Sequence, residues 1–157
     1  MEETQLYFPL FVSLKGKKCL IIGSGDIGTR RAAALSEFQC DVQVIAPEIS
    51  EAMKRLQDAG KVQVSVRKYQ EGDCKGAFLV VAATNDRTIN RQIGWEGKAA
   101  GAFVSVADAK EECTFFFPGI AVNRQEKTVI GVTACGQNHA LAKKITDDCR
   151  KIVRDFE

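Results

Sequence analysis

A strand, a glycine-rich turn and a helix follow one another near the start of this chain, and that order constrains its fold most. The apolar run at residues 17–22 leads into Gly23-Ser24-Gly25-Asp26-Ile27-Gly28, and an Ala/Arg-rich stretch follows. In this context the motif is a dinucleotide-binding fingerprint. Gly23 makes the tight turn, Gly25 lets the backbone approach a pyrophosphate, and Gly28 permits close packing of helix on strand. We expect the N–H groups at the helix start, on Asp26, Ile27 and Gly28, to bind the phosphates. The alternative is a glycine turn with only a structural role.

Segments typical of strands and helices alternate through the first two thirds of the chain. Further strands are predicted at residues 41–46, 61–66, 77–83 and 102–106, with helices at 51–59 and 86–99. The alternating polar and apolar pattern of 61–66 indicates an edge strand, and the unbroken apolar run at 77–83 indicates a strand buried on both faces. This order predicts an α/β fold with a Rossmann-like, doubly wound parallel sheet.

The pattern changes near residue 108. Segments 114–118 and 128–133, around a polar loop at 123–127, predict a small β-pair, and an amphipathic helix is predicted from about Asn138. The apolar face of that helix carries Leu141, Ile145, Cys149, Ile152 and Phe156. These elements either fold back onto the sheet or form a dimer interface. Because the strands of the β-pair lie outside the parallel sheet, their edges would be unpaired in a monomer, which favours dimerisation. The predicted organisation is a Rossmann domain at 1–110 and a dimerisation and substrate-contact segment at 111–157, in a homodimer.

Composition excludes several classes of protein. The chain has 157 residues, 45% hydrophobic and 27% charged, as expected for one globular domain. A formal net charge of +2, without a basic stripe interleaved with aromatic residues, gives no reason to expect nucleic-acid binding. The six cysteines include no Cys-x-x-Cys pair and there is one histidine, so no metal site is expected. With no signal-like segment and no apolar run long enough to span a membrane, we expect a cytoplasmic protein with reduced thiols.

Polar residues follow the predicted strands at their carboxyl ends, where doubly wound sheets bind ligands. Pro47 and Glu48 follow the second strand, and Glu48 stands 20 residues beyond Gly28, where an acidic side chain holds the ribose 2′-OH of NAD. No arginine follows that strand immediately to receive a 2′-phosphate, which favours NAD over NADP. The alternative for Glu48 is a place in the first turn of the next helix, complementing its dipole.

Two further strand ends carry candidate site residues. Thr84 and Asn85 follow the fourth strand and are candidates for contact with ribose or nicotinamide, with helix capping as the alternative. Asp108 closes the fifth strand, and a carboxylate there, beside a nucleotide pocket, is a candidate general base. A turn-forming aspartate is the alternative interpretation of Asp108.

Several short motifs occur in an order that a known family shares. They are Phe8-Pro9-Leu10-Phe11, the glycine motif with Arg30 and Arg31, Ala46-Pro47-Glu48, Ala83-Thr84-Asn85-Asp86 leading to Asn90, Ser105-Val106-Ala107-Asp108, and Cys113-Thr114-Phe115-Phe116-Phe117-Pro118. Over about residues 7–144 the chain resembles the precorrin-2 dehydrogenase module of siroheme synthesis. The resemblance implies NAD-dependent oxidation of precorrin-2 to sirohydrochlorin, with Asp108 as the aspartate on which dehydrogenation depends. In some members Fe²⁺ insertion follows, so a bifunctional dehydrogenase–ferrochelatase is an alternative.

The chain departs from the family's pattern in two places. The turn at residues 133–139 lacks one glycine and the Ser-Pro pair of the family's usual turn. The sequence given ends at Glu157, where members of the family usually continue into a further helical domain, so the cover of the tetrapyrrole is expected from a continuation of the chain or from another subunit, unless this is a minimal dehydrogenase. The resemblance implies that the helix opened by this turn, with Asn138 and His139 at its start, meets the carboxylates of the tetrapyrrole. Arg124 and Lys143 are candidates, among the nearby basic side chains, for contact with the same carboxylate arms. The alternative is that these side chains are a solvated or capping set. A non-catalytic dinucleotide-sensing module, similar to the gating domains of ion transporters, is the alternative from another class.

Overall fold

The computed structural model describes residues 5–156, which divide into two units, residues 13–116 and residues 5–12 with 117–156. The first unit holds five parallel strands in the order β3-β2-β1-β4-β5. The strands are β1 (Lys18–Ile22), β2 (Asp41–Ala46), β3 (Gln63–Val66), β4 (Leu79–Ala82) and β5 (Phe103–Val106). The helices are α1 (Asp26–Ser36), α2 (Glu51–Asp58) and α3 (Arg87–Ala99), with a 3₁₀ turn at Lys110–Glu112. This arrangement confirms the predicted Rossmann-like α/β sheet.

Burial along the strands follows from their places in the sheet. All four residues of β4 are buried, and so are four of the five in β1, because these central strands are covered on both faces. The predicted edge strand, β3, has three exposed residues of four and does lie at one edge. Gly97 of α3 lies so close to β5 that a Cβ there would stand 2.8 Å from a Val104 methyl. The helix therefore packs directly on the strands that end at the candidate site.

The outer edge of β5 is covered by the chain that follows it. The Thr114 N–H donates to the Val104 carbonyl (2.8 Å), and the Val104 N–H donates to Thr114 Oγ1 (2.7 Å). The Val106 N–H donates to Cys113 Sγ (3.2 Å). These bonds satisfy an edge that would otherwise be open and close the loop that carries Asp108. Residues 111–116 belong to the first unit.

The second unit is a β-hairpin with a helix on one face. Strands β6 (Gly119–Asn123) and β7 (Thr128–Val132) pair antiparallel, and α4 (His139–Arg154) packs against them. A Cβ on Gly119 would stand 2.0 Å from Thr146 Oγ1, which shows how closely the helix approaches. Asn123 is 2% exposed, and its amide donates to the Val153 carbonyl (3.0 Å) near the end of α4.

The hairpin starts later than the sequence predicts, and the apolar face of α4 is exposed. The prediction of the first hairpin strand at residues 114–118 is wrong, because Cys113 and Thr114 bond to the edge of β5 and Pro118 has no N–H to donate to a ladder. The apolar face predicted for α4 stays on the surface: Leu141, Ile145, Ile152 and Phe156 are 42–70% exposed. Among residues 5–156 there is no helix with the length and apolar character to cross a membrane.

Candidate functional site

Two glycines of the turn between β1 and α1 are required by backbone packing. Gly23 has φ +111°, and a Cβ there would stand 2.1 Å from the Ala83 carbonyl oxygen at the end of β4. A Cβ on Gly28 would stand 2.2 Å from the carbonyl oxygen of Gly23 itself. Because both contacts are with backbone atoms, a side chain at either position displaces the turn or the start of α1.

Gly25 differs from its two neighbours because the space beside it is open. A Cβ on Gly25 would meet no atom within 4 Å, and Gly25 is the N-cap of α1 without a side chain that caps the helix. The N–H groups of Asp26, Ile27 and Gly28 therefore have no partner from a capping side chain. Uncapped N–H groups at a helix start, beside a backbone that a ligand can approach, fit the pyrophosphate of a dinucleotide.

Ser24 ties the glycine turn to the loop after β2. Its hydroxyl donates to the Glu48 carbonyl (2.8 Å) and accepts from the Ser50 N–H (3.0 Å), and Ser24 itself is buried. Pro47 and Glu48 are exposed, and within the described residues the Glu48 carboxylate has no ion pair or hydrogen bond. Ser50 caps α2, which starts at Glu51, so Glu48 lies before the helix and the alternative role in its first turn is wrong. The free carboxylate suits contact with a ribose hydroxyl.

In the loop after β4, one residue caps the next helix and a different residue is left for contact with a ligand. Asp86 caps α3, since its carboxylate accepts from the N–H groups of Thr88 (2.8 Å) and Ile89 (3.2 Å), so the alternative of capping by Thr84 or Asn85 is wrong. The Thr84 hydroxyl donates to Asn90 Oδ1 (2.7 Å). Asn85 is exposed, and its side chain bonds to none of the described residues. Of the two predicted contacts, the side chain of Asn85 is the one left for a ligand.

Asp108 lies in a cluster of charged and polar side chains just beyond β5. Its carboxylate accepts hydrogen bonds from Asn90 Nδ2 (3.0 Å) and Arg87 Nη1 (3.3 Å), and 38% of its side chain remains exposed. Arg87 also pairs with Glu112, and Arg91 Nε lies 3.8 Å from that second carboxylate. Glu112 Oε2 is buried without a hydrogen-bond partner in the part of the chain that the structure describes. Asp108 is thus held from one side and open to a ligand on the other.

The sheet register brings these segments to one edge. Ile22 pairs with Ile45 and with Ala82, and Ala82 pairs with Val106, so four parallel strands end side by side. The glycine turn, Pro47-Glu48, Thr84-Asn85 and Asp108 follow those four ends. The structure therefore brings together the predicted cofactor residues and the predicted base. The sequence alone indicates no role for Arg87 or Glu112, and Asn90 stands in it only as the last residue of a motif. The i, i+3 spacing of Arg87 and Asn90 at the start of α3 was the available signal.

The four predicted substrate residues lie in the second unit and do not all come together there. Asn138 caps α4 by accepting from the Leu141 N–H (2.9 Å), His139 begins the helix, and Lys143 follows one turn later with Asp147 at 3.5 Å. Arg124 lies in the hairpin turn beside Asn123, which bonds to the far end of α4. A helix of this length separates the two groups by about 20 Å. Residues 5–156 contain no group of three His, Cys, Asp or Glu side chains placed to hold a metal ion.

Comparison with known proteins agrees with the geometry of this edge. A family model described as "Putative NAD(P)-binding" matches residues 10–119. The chain is 37% identical over 147 residues to the "Probable multifunctional siroheme biosynthesis protein HemA" of Ruminiclostridium josui, covering 92% of this chain and 28% of that protein. It is 34% identical over 137 residues to a siroheme synthase of Nitrosococcus oceani, covering 87% of this chain and 29% of that protein. The chain thus spans less than a third of the length of these relatives.

A solved structure shares the fold. The protein titled "SirC, precorrin-2 dehydrogenase" superposes with a TM-score of 0.76 at 24% sequence identity, covering 93% of this chain and 71% of that one. The similarity extends over both units of this chain, and it confirms the α/β fold with a following β-pair and helix.

Proposed function

The chain belongs to the NAD(P)-binding family whose model it matches, and from that premise we propose that it oxidises precorrin-2 to sirohydrochlorin with NAD as cofactor. The observation that carries this proposal is the position of Asp108. It lies at the same sheet edge as an open glycine turn, with its carboxylate held by Asn90 and partly exposed. The printed names of the relatives, which concern siroheme synthesis and precorrin-2, support the choice of substrate.

The reaction removes a hydride and a proton from the macrocycle. NAD⁺, when bound, supplies the hydride acceptor. The N–H groups at the start of α1 hold the pyrophosphate, and the loop after β4 orients the nicotinamide end through Asn85. Asp108 accepts the proton that the macrocycle loses, and its exposure lets it pass that proton to solvent. Hydride loss builds positive charge on the macrocycle, which the same carboxylate offsets. The products are sirohydrochlorin, NADH and one proton.

An anaerobic assay tests this function directly. The protein is incubated with enzymatically generated precorrin-2, with and without NAD, while the absorption spectrum of sirohydrochlorin is followed. The expected result is formation of that spectrum only when NAD is present. Absence of product under conditions where calorimetry detects NAD binding would overturn the dehydrogenase and favour a dinucleotide-sensing module.

We expect the free carboxylate of Glu48 to select NAD over NADP. It accepts a hydrogen bond from the ribose 2′-OH and repels a 2′-phosphate. Calorimetry on the wild type is expected to give at least about tenfold tighter binding of NAD, and E48Q should reduce that ratio to about threefold or less, since one hydrogen bond to a charged group accounts for about 1.5–3 kcal/mol. The matched control is E51Q, three residues on in the first turn of α2, which should keep the wild-type ratio. A ratio unchanged in E48Q would assign the preference to another residue.

We also propose a homodimer formed through α4. The face of Leu141, Ile145, Ile152 and Phe156 leaves four large apolar side chains exposed, and a contiguous apolar patch of this kind is typical of an interaction surface. An isologous contact between two such faces would cover them. Sedimentation of the wild type and of an I145E/I152E variant tests this, with a dimer expected for the first and a monomer for the second. All six cysteines are thiols in the structure, which supports a reducing, cytoplasmic location for the enzyme.

A further inference from the structure

Asn90 is a polar side chain buried completely in the first unit. It lies on the first turns of α3 with no exposed surface, among the apolar residues that fill the space between the helix and the sheet. A buried amide is costly unless its donors and acceptor are bonded. The hydrogen-bond partners of Asn90 therefore indicate what this side chain does.

The hydrogen bonds of Asn90 join two segments that are distant in sequence. Its Oδ1 accepts from the Thr84 N–H (3.0 Å) and from the Thr84 hydroxyl (2.7 Å). Its Nδ2 donates to the Thr84 carbonyl (3.0 Å) and to Asp108 Oδ2 (3.0 Å). One amide thus fixes the backbone after β4 on one side and the carboxylate after β5 on the other.

We infer that Asn90 is a positioning residue for the proposed reaction, and this inference rests on the proposed function. By holding the loop of Thr84 and Asn85 together with the carboxylate of Asp108, it sets the spacing between the nicotinamide end of the cofactor and the proton acceptor. Asn90 has no exposed atoms, so it acts only through these neighbours. Arg87 is the second group on Asp108, but it is shared with Glu112 and bonds at a longer distance.

Two substitutions separate the donor from the acceptor. In N90D the shape and the oxygen that accepts from Thr84 are kept, while the nitrogen that donates to the Thr84 carbonyl and to Asp108 is replaced by an oxygen that repels both. In N90A all four hydrogen bonds are lost. Both variants are expected to lower kcat by about 10- to 100-fold, the size of loss that follows from a misplacement of about 1 Å. The dissociation constant for NAD should rise by less than kcat falls, since Asn90 makes no hydrogen bond to the glycine turn that holds the pyrophosphate.

A matched control exists in the second unit. Asn123 is also an asparagine buried to 2%, and its side chain donates to the Val153 carbonyl (3.0 Å) and accepts from the Glu126 N–H (2.9 Å). N123A removes a comparable buried amide and is expected to lower thermal stability without a selective loss of kcat. A kcat in folded N90D and N90A within twofold of the wild type would overturn the inference. So would an equal loss of kcat in N123A, because the effect would then reflect stability alone.

Hydrogen exchange gives a readout that needs neither substrate nor cofactor. The Thr84 N–H should exchange slowly in the wild type and at least about tenfold faster in N90A, where its acceptor is lost. Equal exchange in the two proteins would show that the bond to Asn90 does not hold the loop, and would overturn the inference whatever the activity. If the loop responds as expected but the wild type makes no sirohydrochlorin, the proposed function fails and the role of Asn90 in that reaction fails with it.

Discussion

Replacing Asp108 by alanine is expected to abolish dehydrogenation of precorrin-2 and to leave the affinity for NAD within a few-fold of the wild type. The substitution removes the proton acceptor, a loss typically of about 10²- to 10⁴-fold in rate. Among the described residues Asp108 has no hydrogen bond to the glycine turn or to the Glu48 loop, so the contacts proposed for the pyrophosphate and the ribose remain. Arg87 keeps its pair with Glu112, which limits the effect on stability. The measurements are the initial rate of sirohydrochlorin formation and NAD binding by calorimetry.

Two further variants test whether the loss of rate comes from the carboxylate of Asp108. D108N keeps the size of the side chain and removes its charge, so an equal loss of rate assigns the effect to the carboxylate. E111Q removes a charge three residues away on an exposed side chain of the 3₁₀ turn and should retain the wild-type rate. If D108A kept more than about a tenth of the wild-type rate, proton transfer would belong to another group, since a general base contributes at least about 10².

The sheet was predictable because its signals are local in sequence. β1 and β4 are mainly apolar segments of strand length, β2 carries apolar residues at four of its six positions, and the glycine turn and Ser50 mark where α1 and α2 begin. The parallel order of these elements places their carboxyl ends at one edge, so the cofactor residues came together as expected. The site's outline therefore followed from periodicity and turn chemistry.

The contacts that hold Asp108 depend on tertiary structure and were beyond sequence reasoning. The sequence pattern gives Asn90 a helical position, but only packing against β4 and β5 makes it buried and bonded to both loops. The same holds for Glu96, which accepts from the N–H groups of Gly72 and Cys74 (2.9 Å each) and so holds a β3–β4 connection that contains no helix. Cys74 is buried within this connection, and that burial raises the pKa of its thiol to about 11.

The start of the β-hairpin was misplaced for a related reason. Residues 114–118 have strand-like composition, and local propensity alone favours a strand there. Their first residue is instead bonded to the edge of β5, a non-local competitor that leaves the strand to begin at Gly119. A strand assignment therefore depends on which edge is available as well as on the pattern itself.

Gly25 and Gly23 stand two residues apart, and alanine at each is expected to affect a different property: NAD affinity in G25A and folding stability in G23A. G25A should fold with a melting temperature close to that of the wild type, because its φ of −71° suits alanine and its Cβ meets nothing within 4 Å. Its affinity for NAD should fall by at least about tenfold, since the methyl group takes the space in which the pyrophosphate approaches the backbone.

The main expected effect of G23A is a loss of folding stability. A φ of +111° is strained for alanine, and the Cβ would overlap the Ala83 carbonyl oxygen, so we expect a fall of about 3 kcal/mol or more in the free energy of unfolding. Urea denaturation and NAD titration of the two variants together test the argument. Wild-type NAD affinity in a stable G25A would show that the pyrophosphate does not lie on this turn. A fully stable G23A would show that the turn relaxes away from β4, and the geometry that places the dinucleotide beside Asp108 would then have to be abandoned.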